Sequence, residues 1–234
     1  MKPLRSMAMT LAGLCAFLCI LSGIAYTQVT STSQMLNGFL QFADTSSKGV
    51  PASAYPDYAK AVTGYLTGQQ SDLTVTAADG TQRPGFSEKE LAHMADVRGL
   101  VRGLSLLRYA AGGLALLILA LYWFHRQHSA DREKLLADVL KGAARGAYLL
   151  LGIVLALGIW GAVNFTGLFV TFHKVFFRND LWLLNPRQDL LIMLMPTRFF
   201  VWYAGQIALA CWPVLAMMAA VIIAAIKLGR QQHE

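Results

Sequence analysis

The sequence predicts an all-α membrane protein: four transmembrane helices, with a small, mainly helical extracellular cap between the first and second spans. Of its 234 residues, 56% are hydrophobic and only 14% are charged, whereas a soluble domain carries about 25% charged residues. Four long intervals are nearly free of charge, and each is long enough for the about 20 residues that a membrane helix needs. The net charge of +7 would suit a protein that binds nucleic acid. No basic motif with interleaved aromatic residues supports such binding, so we expect no nucleic-acid partner.

The four charge-poor intervals define the predicted spans. The first interval is 7–26, the second is 104–124 with Arg108 as its one charge, the third is 146–172, and the fourth is 199–226. The chain is accordingly divided into a first segment and span (1–26), a cap (27–103), the second span (104–124), a loop (125–145), the third span (146–173), an aromatic-rich loop (174–198) and the fourth span with its tail (199–234).

The basic residues predict the orientation of these spans. Nine of the 20 Lys and Arg residues fall in the short segments on one side: Lys2, Arg5, Arg126, Arg132, Lys134, Lys141, Arg145, Lys227 and Arg230. Because short cytoplasmic segments are enriched in Lys and Arg, both termini are expected in the cytoplasm. The cap 27–103 and the loop 174–198 are then extracellular.

Local patterns predict the elements of the cap. Residues 33–42 and 56–66 have helical spacing, and Gly68 is expected to close the second helix. The alternation at 73–77 before Asp79-Gly80 is typical of a hairpin. Ser87 and Glu90 form a capping box, which predicts a helix starting there and running towards the second span. In the loop 174–198, Asp189 is expected to cap a short apolar helix.

Two of the five histidines are candidates for chemistry. We interpret the other three as solvated residues among cytoplasmic charges; these are His125, His128 and His233. His93 and His173 are both placed on the extracellular side. His93 precedes Asp96 by three residues, a spacing that lets a carboxylate orient an imidazole, although ordinary surface helices also contain such pairs.

Aromatic residues concentrate beside His173. Eleven of the 25 aromatic residues lie between Trp160 and Tyr203. An interfacial aromatic belt explains part of this density, and the rest is consistent with a pocket beside the histidine.

Familiar catalytic motifs are absent from the sequence. There is no GxSxG, Walker, GxGxxG or HExxH pattern, which argues against a serine lipase, a nucleotide enzyme and a zinc protease. The three cysteines lie in apolar runs and indicate neither a disulfide nor a metal site. No cofactor or metal is therefore expected. The spans offer few polar residues, which makes a transporter a poor interpretation.

Two blocks of sequence resemble a known family. Residues 86–97 match the pattern F-S-x-x-E-L-x-H-M-x-D-V, and the segment 172–200 contains the second block, with Asn179-Asp180, Trp182, Pro186 and Asp189 among its matching positions. These blocks resemble the family of integral membrane proteins that includes Lit, the bacterial lipoprotein intramolecular transacylase. The resemblance implies a four-helix enzyme of the bacterial cytoplasmic membrane with an extracellular active site.

The resemblance also implies the reaction and its catalytic residues. The sn-2 acyl chain of a diacylglyceryl lipoprotein would move to the α-amino group of its own N-terminal cysteine, giving a lyso-form lipoprotein, with membrane lipids as surroundings and no cofactor. The two catalytic histidines of the family fall on His93 and His173. One imidazole would accept a proton and the other would donate one, in an order that the sequence leaves open.

Further residues are expected to support the histidine pair. Asp96 is the candidate for orienting His93, and the polar candidates on the loop are Arg178, Asn179 and Asp180. A water-excluding pocket is expected from Phe172, Phe176, Phe177 and Trp182. Two alternatives stay open: another membrane lipid-ester hydrolase or acyltransferase, and a non-catalytic membrane scaffold.

Helix geometry sets a condition on the histidine pair. A straight helix from Ser87 would lift His93 eleven residues above Leu104, or roughly 16 Å at about 1.5 Å per residue. His173, at the end of the third span, would then lie too low. We therefore expect either a bend near Gly99 or Gly103 or a third span that projects about two turns beyond the lipid.

Overall fold

The computed structural model describes residues 2–126 and 132–231, and its regular elements there are helices. The eight α-helices of this part of the chain are α1 (Lys2–Val29), α2 (Thr32–Phe42), α3 (Tyr55–Thr67), α4 (Glu88–Arg126), α5 (Arg132–Val163), α6 (Phe165–Phe176), α7 (Leu190–Leu194) and α8 (Thr197–Gln231). His128 and His233 lie outside the described residues, as does part of the predicted loop 125–145. The rest of that loop is mostly helix, because α5 already begins at Arg132.

Four helices of the described residues are long and apolar enough to cross a membrane, which confirms the all-α class and agrees with the four predicted spans. They are α1, α4, α5 and α8, and the apolar stretch of each exceeds the about 20 residues needed. Pro213 lies inside α8, where a proline lacks the backbone N–H of a regular helix and favours a kink.

The predicted third span, 146–173, is not one continuous helix. Helix α5 ends at Val163, and Asn164 adopts a non-helical backbone with φ −148° and ψ 78°. The Asn164 Oδ1 accepts a hydrogen bond from the Gly167 N–H at 2.8 Å, so this side chain caps a new helix, α6. The interval looked continuous in the sequence because hydropathy reports apolar character rather than backbone geometry.

Neither of the two glycines at which a bend was considered interrupts the second long helix. Helix α4 runs unbroken through Gly99 and Gly103 for 39 residues, about 58 Å at about 1.5 Å per residue and nearly twice the about 30 Å of a hydrocarbon core. Its charged residues, apart from Arg108, lie before Leu104 or at the far end. The charge-poor stretch of α4 is thus 104–124, as in the sequence, and the first four turns of α4 precede it.

The described chain divides into two compact units. The first comprises the described residues of 1–24, 105–159 and 210–234. Within it, α1 and α5 approach so closely that a Cβ added at Gly146 would lie 2.3 Å from the Leu14 backbone nitrogen, so glycine is required there. A core of Phe17, Leu150 and Met218 joins these two helices to α8.

The second unit comprises residues 25–104 and 160–209. Its core is centred on the fully buried side chains of Phe39, Tyr58, Val62, Leu194 and Phe199. The predicted cap 27–103 and the predicted loop 174–198 therefore share one hydrophobic core. They do not form two independent elements.

The local predictions within the second unit agree with the structure in most details. Helix α3 ends at Gly68, whose φ of 83° is the left-handed conformation that a glycine cap supplies. The predicted hairpin is reduced to one antiparallel bridge between Thr76 and Gln82, around a turn that contains Gly80. Asp189 occupies the N-cap position of α7, but its side chain makes no capping bond there.

Candidate active site

The second unit brings His93 and His173 together. His93 lies on the second turn of α4, and His173 lies near the end of α6. Their ring centroids are 6.1 Å apart with an interplanar angle of 32°. The two residues are 7% and 8% exposed, so two titratable rings lie beside each other in a largely dry environment.

Aromatic rings surround the two imidazoles. The Phe177 ring contacts both, at 5.2 Å from His93 and 5.4 Å from His173. Trp182 lies 4.9 Å from the His173 ring, and Phe172 lies 5.5 Å from it. Three of the four predicted pocket residues therefore contact at least one of the two imidazoles.

One predicted pocket residue lies elsewhere, and one pocket residue was missed. Phe176 packs against Phe172 and is 53% exposed, so it lines no buried space beside the imidazoles. Phe169 was not predicted, yet its ring lies 4.1 Å from the His173 ring, one helical turn earlier on α6. Its spacing of four residues from His173 was the available signal.

Hydrogen bonding fixes the tautomer of His173. Its Nδ1 lies 2.7 Å from the Phe169 carbonyl oxygen. A carbonyl can only accept, so Nδ1 carries the proton and the neutral ring keeps its lone pair on Nε2. The buried Nδ1 of His93 has no hydrogen-bond partner within the described chain.

Burial lowers the pKa of both histidines. His93 precedes the charge-poor stretch 104–124 of α4, and His173 lies on α6, whose 12 residues are fewer than the about 20 that a membrane span needs. Burial is the main cause of the lowered pKa of His93. The neighbouring His173 lowers it further, while Asp96 acts in the opposite direction. Burial also lowers the pKa of His173, against a smaller opposing effect of the Phe169 carbonyl. Both imidazoles are therefore neutral at neutral pH and able to accept a proton.

The predicted polar residues occupy two different positions. Asp96 Oδ2 accepts a hydrogen bond from Asn179 Nδ2 at 2.9 Å, which ties the loop after α6 to α4. The hydrogen bond of Asp96 thus goes to the loop, and its effect on His93 is that of its negative charge. Arg178 and Asp180 are exposed and line, together with Lys174, a cleft of about 560 Å³ that includes Phe177 and Trp182 in its wall.

Glu90 makes one contact that the sequence predicted, with Ser87, and one that it did not, with Leu191. The predicted capping box is present: Ser87 N–H donates to Glu90 Oε2 at 2.6 Å, and Glu90 N–H donates to Ser87 Oγ at 3.3 Å. The other carboxylate oxygen, Oε1, accepts from the Leu191 N–H at 2.5 Å. Glu90 is 2% exposed and lies one turn from His93. This carboxylate thus joins the start of α4 to the start of α7.

The fold and the site together define a multi-pass membrane protein with a buried pair of imidazoles in an aromatic pocket. The family described as lipoprotein intramolecular transacylase Lit matches residues 10–200 of the chain. The chain therefore belongs to the Lit family, and it is a membrane-integral lipoprotein-modifying transacylase at the level of that family.

Solved structures agree with this assignment at the level of the fold. The structure of the membrane-integral lipoprotein intramolecular transacylase Lit from Bacillus cereus is 17% identical, with a TM-score of 0.69 over 99% of this chain and 100% of that chain. Two variants of that protein, with a histidine replaced by arginine or by alanine, are 18% identical and have TM-scores of 0.59. Both alignments cover 99% of this chain, and they cover 95% and 96% of those chains. No protein of curated function matches the chain.

Proposed function

We propose that the protein moves the sn-2 acyl chain of a diacylglyceryl lipoprotein to the α-amino group of its own N-terminal cysteine, with His93 and His173 as the catalytic pair. The observation that carries this proposal is the 6.1 Å separation of the two buried rings. Ordinary core packing does not favour two titratable rings in contact inside one apolar pocket. Perturbed titratable groups of this kind are typical of functional sites.

The chemistry needs positioning and proton transfer. The neutral amine attacks the ester carbonyl, the bond to the glycerol oxygen breaks, and the proton lost by nitrogen is the proton that this oxygen gains. Because amine and ester belong to one molecule, correct placement replaces a bimolecular encounter, an advantage of about 10⁵–10⁸ M in model reactions. Counted from the neutral amine, the reaction takes up and releases no proton; an α-ammonium substrate must first lose one proton to the solvent.

We assign the two histidines different parts in this proton transfer. The lone pair of His173 is on Nε2, because Nδ1 donates to the Phe169 carbonyl. Nε2 of His173 can thus accept a proton, and we assign to it the proton of the attacking amine and to His93 the return of a proton to the glycerol oxygen. Neighbouring rings at this distance can exchange that proton through one hydrogen bond or one bridging water. The lowered pKa of both rings is consistent with a neutral resting pair.

The surroundings of the pair favour transfer over hydrolysis. Rings of Phe172, Phe177 and Trp182 cover the imidazoles, which limits the access of water to the acyl group. Asn179, held by Asp96, positions this aromatic loop. The exposed polar side chains of the adjacent cleft, including Arg178 and Asp180, would contact the polar part of the lipoprotein.

We further propose that the second unit faces the outside of a bacterial cell. Both termini would then be cytoplasmic, and the cap 27–103 with the loop 174–198 would meet lipoproteins at the outer surface of the cytoplasmic membrane. The support is the distribution of Lys and Arg between the short segments.

Mass spectrometry of a coexpressed lipoprotein tests the proposed reaction. The wild-type protein should give an N-acylated, lyso-form N-terminus. His93→Ala and His173→Ala should each slow its formation by about 10² to 10⁴-fold, the usual contribution of a general acid or base. His125→Ala is the matched control and should retain activity. Release of free fatty acid would support a lipid-ester hydrolase instead, and full activity of both alanine variants would support a scaffold.

A further inference from the structure

The first unit contains a cavity that the proposed reaction does not use. The cavity has a volume of about 1180 Å³ and is formed by residues of α1, α5 and α8. The lining residues all belong to the first unit, whereas the candidate active site belongs to the second. A second binding site is therefore a question separate from the histidine pair.

The cavity wall is positively charged. Arg5, Lys141 and Arg145 line it, and Asp138 is its only acidic residue among the described lining, so the net charge is +2. The Asp138 carboxylate accepts a hydrogen bond from the Tyr122 hydroxyl. The charge of the cavity thus favours an anionic ligand.

Two of the cations are held in place by neighbouring groups. Arg145 donates to the Ser6 hydroxyl on α1 and, through Nε, to the Lys141 carbonyl oxygen at 3.1 Å. The Arg5 guanidinium lies over the Tyr122 ring at 5.9 Å. Arg145 is exposed, and its two hydrogen bonds link it to α1 and α5 at the cavity wall.

The remaining wall is apolar. Met9, Leu149, Ile222 and Ile226 contribute hydrophobic side chains to the same space as the three cations. Along the chain, Arg5 directly precedes the first predicted span, Lys141 and Arg145 directly precede the third, and Ile226 ends the fourth. The cavity therefore combines a basic rim at the ends of these spans with walls formed by apolar residues.

We propose that this cavity binds one anionic phospholipid, with its phosphate at Arg5, Lys141 and Arg145 and its upper acyl chains against the apolar wall. Basic pockets between membrane helices are a recognised setting for anionic headgroups. An inorganic phosphate would leave the apolar wall unfilled, and a zwitterionic lipid would place a second positive charge beside the three cations. A lipid with a single negative charge, such as phosphatidylglycerol, matches both the basic rim and the apolar wall of the cavity.

Native mass spectrometry of the full-length detergent-solubilised protein tests this proposal. The probe is an equimolar mixture of phosphatidylglycerol and phosphatidylcholine with identical acyl chains. The wild-type protein should retain one phosphatidylglycerol in preference to phosphatidylcholine. Each cation contributes roughly a fivefold preference, so the double variant Arg5→Gln/Arg145→Gln should lower it by at least about tenfold.

The control variant is Arg230→Gln, which removes an exposed cation from α8 outside the described cavity lining. It should keep the wild-type preference. Since loss of the Ser6 contact could unfold the double variant, the wild-type protein is also measured at rising salt, where the preference for phosphatidylglycerol should decline. The proposal is overturned by a wild type without preference, by an equal loss in Arg230→Gln, or by inorganic phosphate displacing the lipid at an equal concentration.

Discussion

The substitution Glu90→Gln should have two effects: it should destabilise the second unit, and it should slow the reaction. In the wild type, one carboxylate oxygen accepts from Ser87 N–H and the other from Leu191 N–H. Glutamine offers only one acceptor oxygen and turns an N–H group towards the second donor. At least one buried, charge-assisted hydrogen bond is lost, which corresponds to about 1.5–3 kcal/mol.

Glu88→Gln is the matched control for this experiment. Glu88 lies in the same first turn of α4 but is exposed, so its substitution should change stability by less than about 0.5 kcal/mol. Thermal unfolding of the purified protein in detergent, followed by tryptophan fluorescence, gives the difference between the two variants. If Glu90→Gln melts at the same temperature as Glu88→Gln, Glu90 does not join α4 to α7 in the way described.

Three further predictions concern the histidine pair and its surroundings. Asp96→Asn should lower the pKa of His93 further, because it removes the negative charge that raises it; ¹⁵N-histidine NMR measures this shift, and an unchanged titration would contradict it. Asn179→Ala should slow transfer. In the double variant with Asp96→Asn, the loss of rate should be smaller than the sum of the two single losses in free energy, since both residues form one contact. Strictly additive losses would show that the two residues act independently. Trp182→Ala should raise the ratio of free fatty acid to N-acyl product, whereas the exposed Trp212→Ala should leave it unchanged, as measured by chromatography of both products.

The pH dependence of transfer provides one more test. A lowered pKa keeps both imidazoles neutral, and able to accept a proton, at pH values below their ordinary pKa of about 6.5. The acid side of the rate profile should then follow the substrate's α-ammonium group, whose ordinary pKa is about 7.7–8.0. A profile that falls instead around pH 6.5, and shifts with substitution of either histidine, would show imidazoles with ordinary pKa values.

Short-range chemistry in the sequence predicted the local structure well. The capping box of Ser87 and Glu90 needs only residues three positions apart, and the end of α3 needs only Gly68. Both features depend on backbone hydrogen bonds within one turn, so a single sequence contains the necessary information. The four apolar helices are predicted for a similar reason, because membrane crossing depends on the length and composition of one segment.

Contacts between distant segments could not be predicted in the same way. The Glu90 bond to Leu191 and the Asp96 bond to Asn179 join residues far apart in the chain, and no residue pattern encodes them. The break at Asn164 was visible only as a polar residue inside an apolar interval. Its effect arises because the amide side chain competes for the backbone N–H groups of the next turn.

The candidate site was predicted through two different routes. The resemblance of two sequence blocks identified His93 and His173 as candidates. The predicted topology placed both residues on one side of the membrane. Neither route predicts the tautomer of His173, which depends on the Phe169 carbonyl oxygen one turn earlier. Neither route separates Phe172, which contacts His173, from the exposed Phe176, because both occur in the same aromatic segment.

The most direct test of the central claim uses the purified protein and a synthetic diacylglyceryl lipopeptide with an isotopically labelled sn-2 chain. We expect the label to move to the α-amino nitrogen of the same peptide, with no exchange between labelled and unlabelled peptides. His173→Ala should stop this movement while the fold is retained. Transfer of label to a different peptide, release of labelled fatty acid, or unimpaired movement in the His173→Ala variant would contradict it.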